Sequence, residues 1–241
     1  LNLETLVEVK NIMKKLDDVC VLVQARLGSQ RVPQKMIRPF AGTTLMDICL
    51  EKLSASSYIP NQNIISSVYE PELVEISERY PIQIFNRSEQ SANSEGTPMT
   101  EMYEWWDKIP FKYCVLVNAC APFLKLETVE KFVEFYTSIE SDGLFGVIEK
   151  KNYYWGSDFK LQTPWPEDQA VMNTKFVDTT YEAAHCLYAG KMSKIGKSIW
   201  MGDFMTPGDI QLYPMDEREV FDIDYEWQFQ YYENLYKSGV R

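Results

Sequence analysis

Short apolar runs alternate with segments of helical periodicity along most of this 241-residue chain. In the first run, residues 19–23, every side chain is apolar, as in a strand that is buried on both faces of a sheet. The alternation predicts an α/β fold with a mostly parallel, open, Rossmann-like sheet and helices on both faces. Further strands are predicted at 63–68, 82–85, 113–117, 144–148 and 184–189, and helices at 43–54, 71–80, 100–108 and 126–139.

The alternation is interrupted at residues 150–180, which are rich in aromatic side chains and show neither helical nor strand periodicity. Two interpretations stay open: a long surface excursion, or an interface or substrate lobe marked by exposed aromatics. Residues 3–16 predict a short amphipathic helix, and 226–236 predict a helix near the end of the chain. We therefore predict a single domain over residues 1–241 with an inserted lobe at about 150–190.

The charge balance limits the partners of this chain. It has 24 Lys and Arg against 35 Asp and Glu, a net charge of −11, so we expect no general attraction to nucleic acid or to anionic membranes. No apolar run approaches the roughly 18–20 residues that span a bilayer, and the first ten residues do not resemble a signal peptide. The five cysteines form no CxxC pair and lie mostly in apolar runs, which indicates reduced thiols and a cytoplasmic protein.

A basic loop follows the first predicted strand. It carries Arg26, Gly28, Ser29, Arg31 and Lys35. Glycine lets backbone N–H groups approach a phosphate closely, the serine hydroxyl adds a donor, and the three cations supply charge. The spacing fits neither the P-loop nor the dinucleotide-binding glycine pattern. An ordinary basic surface loop is the alternative, but the cations cluster at a strand end, which favours a phosphate site.

Two carboxylates lie two residues apart near the end of the chain, Asp222 and Asp224. Phe221 and Ile223 alternate with them, which predicts a half-buried strand with both carboxylates on one face. Oxygen ligands without His or Cys favour Mg²⁺, with Mn²⁺ as a substitute, shared with substrate phosphates. From charge alone, a solvated acidic turn remains the alternative.

The loop pattern Ala-Arg-x-Gly-Ser-x-Arg-x-Pro-x-Lys, at residues 25–35, resembles the nucleotide-binding signature of the acylneuraminate cytidylyltransferases. This family comprises the CMP-sialic acid synthetases and their relatives for other keto sugar acids, and its loop cradles the triphosphate of CTP. The resemblance implies the nucleotide-diphospho-sugar transferase fold. It assigns nucleotide contacts to Ala25, Arg26, Gly28, Ser29, Arg31 and Lys35.

Three later segments resemble the same family in the same order. Residues 85–88 contain Arg87, which the resemblance places beside the nucleotide. Residues 117–123 resemble a strand-end motif in which Asn118 stands at the position of a glutamine, also beside the nucleotide. Asp222-Ile223-Asp224 resembles the metal site of the family. The resemblance therefore favours Asp222 and Asp224 as metal ligands over a solvated turn.

The acceptor side of the resemblance is less complete. Lys150 and Lys151 match a basic pair before the dimerisation lobe of the family and are candidates for the carboxylate of an acidic sugar. His185 stands in a strand that resembles one lining the sugar pocket; a structural role and a substrate contact both stay open. Cys120-Ala121 replaces a Thr-Ser pair, and residues 171–176 hold one cation where the sialic acid enzymes have an Arg-Arg-Gln-like run. The acceptor can therefore differ from N-acetylneuraminate.

Taken together, the resemblance implies a Mg²⁺-dependent cytidylyltransferase. It would transfer CMP from CTP to the hydroxyl of an acidic keto sugar and release pyrophosphate, which Arg26 and Lys35 would stabilise as it leaves. Asp222 and Asp224 would hold the metal, and the chain would form a homodimer. Two alternatives stay open: a nucleotidyltransferase for another acceptor or nucleotide, and a non-catalytic, nucleotide-binding dimeric relative.

Overall fold

The computed structural model describes residues 14–93 and 96–239, and its centre is a seven-stranded sheet in the order β3-β2-β1-β4-β6-β5-β7. The strands are β1 (Val19–Gln24), β2 (Ile64–Val68), β3 (Gln83–Asn86), β4 (Tyr113–Val117), β5 (Gly143–Lys150), β6 (Thr180–Lys191) and β7 (Ile210–Pro214). The α-helices are α1 (Leu45–Ser54), α2 (Pro71–Ser77), α3 (Glu89–Ala92), α4 (Met99–Met102), α5 (Leu126–Ser138) and α6 (Glu226–Lys237). Short 3-10 helices occupy Leu16–Asp18, Asn61–Asn63, Glu104–Asp107, Thr174–Phe176, Met192–Lys197 and Glu217–Glu219.

Strand β1 explains why the core has two halves. Its side chains alternate between faces, so Val21 and Val23 pack into the larger apolar cluster and Cys20 and Leu22 into the smaller one. Helices α1, α2, α5 and α6 cover the larger cluster, whereas short helical turns around Trp105 and at 192–197 cover the smaller one. The predicted fold class, with helices on both faces of an open sheet, is confirmed.

The sheet is mostly parallel, with one exception. Strands β3, β2, β1 and β4 run parallel to one another, and β5 runs parallel to β7. Strand β6 lies between β4 and β5 and is antiparallel to both. The chain proceeds from β1 outward to β2 and β3 and then returns to place β4 on the other side of β1. The order reverses between β1 and β4, and open α/β sheets bind ligands at such a point.

Several elements differ from their predicted form. The helix predicted at 100–108 is broken into α4 and a 3-10 helix at Glu104–Asp107, because Tyr103 leaves the helical conformation between them. Strand β7, at the edge of the sheet, was not predicted. The strand predicted at 221–224 does not form; these residues are irregular. The helix predicted at 3–16 lies largely outside the described residues, and Leu16 begins a short 3-10 helix.

Residues 151–179, hereafter the insertion, connect β5 to β6. They contain a 3-10 helix at Thr174–Phe176 and an isolated bridge between Trp155 and Leu161, and otherwise have no regular structure. Trp155, Phe159 and Phe176 are exposed on it, and Phe159 is 90% accessible. Residues 180–190, which the sequence-based boundary placed in the lobe, belong to β6 in the main sheet.

Two predictions from composition can be compared with the structure. All five cysteines are free thiols, and only Cys120 among them is not fully buried. In the part of the chain that the structure describes, every helix is too short or too polar to span a bilayer.

Candidate functional site

A cleft of about 750 Å³ lies at the carboxyl ends of β1, β2 and β4, where the strand order reverses. The loop after β1 forms one wall, and α3 with the residue that follows it contributes to another. Seven of the eight residues predicted to contact the nucleotide line this cleft: Ala25, Arg26, Gly28, Ser29, Arg31, Lys35 and Asn118.

Short turns shape the loop after β1. The Ser29 N–H donates to the Leu27 carbonyl at 2.8 Å, and the Ser29 hydroxyl accepts from the Val32 N–H at 3.3 Å. Because the hydroxyl is an acceptor in that bond, its proton remains available for another partner. A Cβ placed on Gly28 would meet no atom within 4 Å, so the backbone here faces open space. A phosphate can therefore approach the loop at Gly28 and Ser29.

The basic side chains of this loop reach the acidic segment near the end of the chain. Lys35 is only 14% accessible, and its Nζ donates to the Ile223 carbonyl at 2.6 Å. Its Nζ also lies 3.7 Å from Asp224 Oδ1. Arg31 Nη2 donates to the same carboxylate oxygen at 2.6 Å. The structure thus brings together the two features that the sequence placed almost 190 residues apart.

The carboxylates of Asp222 and Asp224 have different surroundings. Ile223 between them is fully buried, and its N–H donates to the Cys120 carbonyl at 3.2 Å, which fixes the segment without a strand. Burial, and then the charge of Asp224, raise the pKa of Asp222 above its ordinary value. Asp222 Oδ1 is buried, and it has no hydrogen-bond partner among the described residues.

These two carboxylates fit a hard cation. A buried carboxylate oxygen without a hydrogen bond is costly unless a hydrogen-bond donor or a cation satisfies it. The atoms that Asp222 and Asp224 offer to a cation are carboxylate oxygens, which suit Mg²⁺. Within residues 14–93 and 96–239, no group of three or more Asp, Glu, His or Cys side chains is arranged to hold a metal. A magnesium ion here would therefore need ligands from phosphate or water besides Asp222 and Asp224, as Mg²⁺ commonly has.

Asn118 joins the cleft to strand β6. Its Nδ2 donates to the His185 carbonyl at 3.0 Å, and its Oδ1 accepts from the Cys120 N–H at 2.9 Å. His185 has a positive φ of 56° and an exposed side chain, whose Nδ1 lies 2.7 Å from the Tyr188 hydroxyl. Asn118 thus helps to shape the cleft, and His185 is both exposed and hydrogen-bonded, so a structural role and a substrate contact both stay open.

Arg87 is the predicted nucleotide residue that does not line the cleft. Its side chain is 5% accessible, and it donates to the Ser91 hydroxyl at 3.1 Å and to the Ser91 carbonyl. Burial lowers its pKa to about 10. These contacts hold α3 against the sheet, and α3 carries Ala92, whose carbonyl accepts from Arg26 at 3.4 Å. Arg87 therefore supports the cleft wall from behind.

Lys150 and Lys151 lie at the carboxyl end of β5, outside the set of residues that line the cleft. Lys150 pairs with Glu217, and its Nζ lies 3.9 Å from Glu182 Oε2. Its hydrogen bond to Glu217 raises its pKa. Lys151 is exposed. Among the described residues, Lys150 thus has acidic partners, whereas Lys151 is exposed and no ion pair to it is seen.

Glu70, Tyr69 and Gln24 are among the cleft residues that sequence reasoning did not assign. Glu70 Oε1 accepts from the Leu27 N–H at 2.7 Å and so restrains the start of the basic loop. Tyr69 is exposed and offers an aromatic face, and Gln24 Oε1 accepts from Trp105 Nε1 at 2.7 Å. Their positions at the ends of β1 and β2 were the available signal, since ligands bind beyond the carboxyl ends of such strands.

Comparisons with known proteins show which family and which relatives the chain resembles. A family model described as cytidylyltransferase matches residues 20–184. The spore coat polysaccharide biosynthesis protein SpsF of Bacillus subtilis (strain 168) is 28% identical over 81 residues, 31% of this chain and 34% of that protein. The match thus spans about a third of the length of this curated relative.

Solved structures share the fold at low identity. A CMP:2-keto-3-deoxy-manno-octonic acid synthetase complexed with CTP superposes with a TM-score of 0.67 at 10% identity, covering 92% of this chain and 100% of that one. A 4-diphosphocytidyl-2C-methyl-D-erythritol synthase from Anaerococcus prevotii DSM 20548 gives 0.63 at 13% identity, covering 91% and 96%. A cytidylyltransferase from Leptospira borgpetersenii serovar Hardjo-bovis (strain JB197) gives 0.58 at 16%, covering 90% and 85%.

Proposed function

The chain belongs to the cytidylyltransferase family, and from this premise we propose that it transfers CMP from CTP to the hydroxyl of an acidic keto sugar, with release of pyrophosphate. The observation that carries the proposal is the contact between the basic loop and the acidic segment, in which Lys35 binds the Ile223 carbonyl between the two aspartates. The proposed phosphate-binding and metal-binding groups are thereby held next to each other, as in-line nucleotidyl transfer requires.

The triphosphate of CTP is proposed to bind along the loop after β1. Gly28 leaves the backbone open to a phosphate, and Ser29 offers a hydroxyl proton. Arg26, Arg31 and Lys35 supply positive charge in a chain whose net charge is −11. Arg31 and Lys35 already contact a carboxylate oxygen, so a phosphate oxygen offers them an equivalent partner.

Asp222 and Asp224 are proposed to hold Mg²⁺, or Mn²⁺ in its place. When bound there, the ion would supply charge neutralisation at the α-phosphate. The protein supplies the other interactions. The loop orients the triphosphate, and Arg26 and Lys35 stabilise the negative charge that grows on the leaving pyrophosphate. The orphaned oxygen of Asp222 supports this assignment.

The acidic keto sugar rests on the resemblance of the loop and of the acidic segment to the acylneuraminate enzymes. The solved relatives that share the fold act on dissimilar acceptors by their descriptions, so the fold alone does not select one. Lys151 is the exposed cation available for the carboxylate of the sugar, while Lys150 would have to exchange Glu217 for it. The synthetase for 2-keto-3-deoxy-manno-octonic acid makes that sugar a suitable probe beside N-acetylneuraminate.

We further propose that the chain forms a homodimer through the insertion. Exposed aromatic and apolar side chains concentrate there, and such a surface is typical of an interface. They are Tyr154, Trp155, Phe159, Trp165, Val171, Met172 and Phe176.

The experiment is an assay of pyrophosphate release with CTP, UTP, ATP and GTP, each with N-acetylneuraminate and with 2-keto-3-deoxy-manno-octonate. We expect release with CTP and at least one sugar acid, and loss of release when Mg²⁺ is chelated. Equal rates with all four nucleotides, or release with neither sugar, would contradict the proposed substrate pair. Binding of CTP without release under any condition would favour a non-catalytic relative.

A further inference from the structure

His185 has a left-handed backbone conformation, as do six other described residues that are not glycine. It is the only histidine in the sequence, and its φ of 56° lies in the left-handed region, where residues with a Cβ are disfavoured and glycine is not. The residue stands where the pairing of β5 with β6 shifts register, between the pairs Phe145–Tyr188 and Val147–Ala183. Such bulges redirect a side chain, and they are frequent beside active sites.

The imidazole is held in place at one of its two nitrogens. Nδ1 lies 2.7 Å from the hydroxyl of Tyr188. The Tyr188 ring is itself packed against Trp200 and Phe145, with centroid distances of 4.8 Å and 5.3 Å. When Nδ1 carries the proton and donates it to Tyr188, Nε2 presents a lone pair on an exposed side chain.

His185 is connected to the cleft through its backbone and through charge. Its carbonyl accepts from Asn118 Nδ2 at 3.0 Å, and the next carbonyl, of Cys186, accepts from the Asn118 N–H at 2.9 Å. Burial and the charge of Asp224 raise the pKa of Asp222, and Lys35 and, less strongly, a protonated His185 act against that rise. The backbone at His185 is therefore joined, from β6, to Asn118 in the cleft lining, whereas the phosphate loop follows β1.

We propose that His185 is the general base that takes the proton from the acceptor hydroxyl, an inference that rests on the proposed cytidylyl transfer. The hydroxyl oxygen forms a bond to the α-phosphorus of CTP, its O–H bond breaks, and the proton passes to Nε2. The bond between the α-phosphorus and the bridging oxygen breaks, and its electron pair leaves with pyrophosphate. The imidazolium then returns the proton to solvent, so the enzyme ends each turnover unchanged.

The backbone strain gives this assignment a physical reason. A glycine at residue 185 would adopt the same φ without a Cβ clash, so the histidine is less favourable for folding than the smallest residue. Side chains kept in strained conformations cluster where their groups act on ligands. A histidine with only a structural role would be expected to make the folded protein more stable than glycine does at the same position.

The test uses His185→Gly and His185→Asn, since both residues tolerate the left-handed conformation and neither can act as this base. We expect His185→Gly to melt at or about 1–4 °C above the wild type, and to bind CTP with unchanged affinity. Turnover with the sugar acid that the wild type uses should fall about 10²- to 10⁴-fold in both variants. Added imidazole should restore part of the turnover of His185→Gly. Ser198→Gly is the matched control, because Ser198 has a φ of 59° and is exposed after the 3-10 helix Met192–Lys197, so its turnover should not change.

Each outcome bears on the inference separately from the proposed function. Wild-type turnover together with unchanged turnover in both His185 variants would overturn the role of His185 and leave cytidylyl transfer standing. A lower melting temperature in His185→Gly, with turnover lost and not rescued by imidazole, would show a structural role and would also overturn it. If the wild type itself releases no pyrophosphate with either sugar acid, the proposed function fails, and this role fails with it.

Discussion

The loop after β1 and the insertion are both long connections without regular structure, but they are held in opposite ways. The loop is fastened to distant parts of the chain: Lys35 binds the Ile223 carbonyl, and both terminal nitrogens of Arg38 donate to the Glu226 carboxylate. Its apolar residues, such as Val32 and Phe40, are fully buried. It is therefore ordered by the rest of the domain before any ligand binds.

The insertion is held mainly by hydrogen bonds between its own residues. The Tyr154 N–H donates to Thr163, the Tyr153 hydroxyl to the Asn173 carbonyl, and Trp165 Nε1 to the Gln169 carbonyl. Several of its large apolar side chains face solvent. The difference accords with the proposed homodimer, since the loop is held by its own chain and the insertion leaves apolar side chains exposed.

Among the changes that test this contrast, replacing Asp222 should have the largest effect on turnover. We expect Asp222→Asn to lose activity by on the order of 10²–10³-fold, because an amide cannot neutralise a metal ion as a carboxylate does. Burial raises the pKa of Asp222, so the folded state resists its ionisation, and wild-type stability declines as pH rises through the unfolded and then the folded pKa. The variant escapes this cost and should melt at or above the wild-type temperature at pH 7.

The control for this change is Asp216→Asn. Asp216 belongs to the same acidic stretch but pairs locally with Arg218, so its replacement should leave turnover intact. Activity of Asp222→Asn within threefold of the wild type, measured by pyrophosphate release, would argue against the proposed metal site.

Removing the charge of Lys35 should weaken the nucleotide side by a smaller amount. We expect Lys35→Met to lower kcat/KM for CTP by about 10- to 100-fold, since one charge-assisted hydrogen bond to a phosphate is lost. Isothermal titration with CTP and steady-state rates measure the loss. Lys112→Met is the matched control, because Lys112 pairs with Asp18 at the opposite end of the sheet. Equal effects in the two variants would place the phosphate site elsewhere.

Changing the surface of the insertion should alter assembly more than chemistry. We expect Phe159→Ser to shift sedimentation from dimer toward monomer and to change turnover by no more than a few fold, because Phe159 is almost fully exposed in one chain. Met205→Ser removes an equally exposed apolar side chain, 89% accessible, outside the insertion. A monomeric wild type, or an identical response in both variants, would contradict the proposal that the insertion forms the dimer interface.

The smallest effect on activity is expected at Glu219, just before the acidic pair. Its buried carboxylate accepts from the Thr128 hydroxyl at 2.6 Å and from Lys125 Nζ at 2.9 Å, at the beginning of α5. Glu219→Gln should lower the free energy of unfolding by about 1–2 kcal/mol in a denaturant titration and change turnover less than twofold. A tenfold loss of turnover would show that this anchor also positions the carboxylates.

Local patterns predicted the parts of this fold whose causes are local. An unbroken apolar run predicted β1, because a strand between two others is buried on both faces. The cations and small residues of one short loop predicted its place in the cleft. The pattern at 221–224 misled because the alternation of Phe221 and Ile223 has another cause: these residues pack against α6 and the core without joining a strand.

Other features depend on contacts between distant residues, and short patterns do not contain them. Arg87 supports the cleft wall from behind because α3 folds back over it, and Lys150 is engaged by Glu217, 67 residues later. Strand β7 forms at the sheet edge only because β5 lies beside it. The left-handed conformation of His185 arises from a register shift between two strands, which neither strand shows alone.

The antiparallel direction of β6 has a consequence for how this protein can diversify. Because Lys150 at the end of β5 pairs with Thr180 at the start of β6, the insertion leaves and re-enters the sheet through a narrow neck. Strand β5 points the same way as β1 and β4, so this neck opens at the edge that carries the cleft. The insertion can therefore change in length and composition while the strands whose ends form the cleft keep their register.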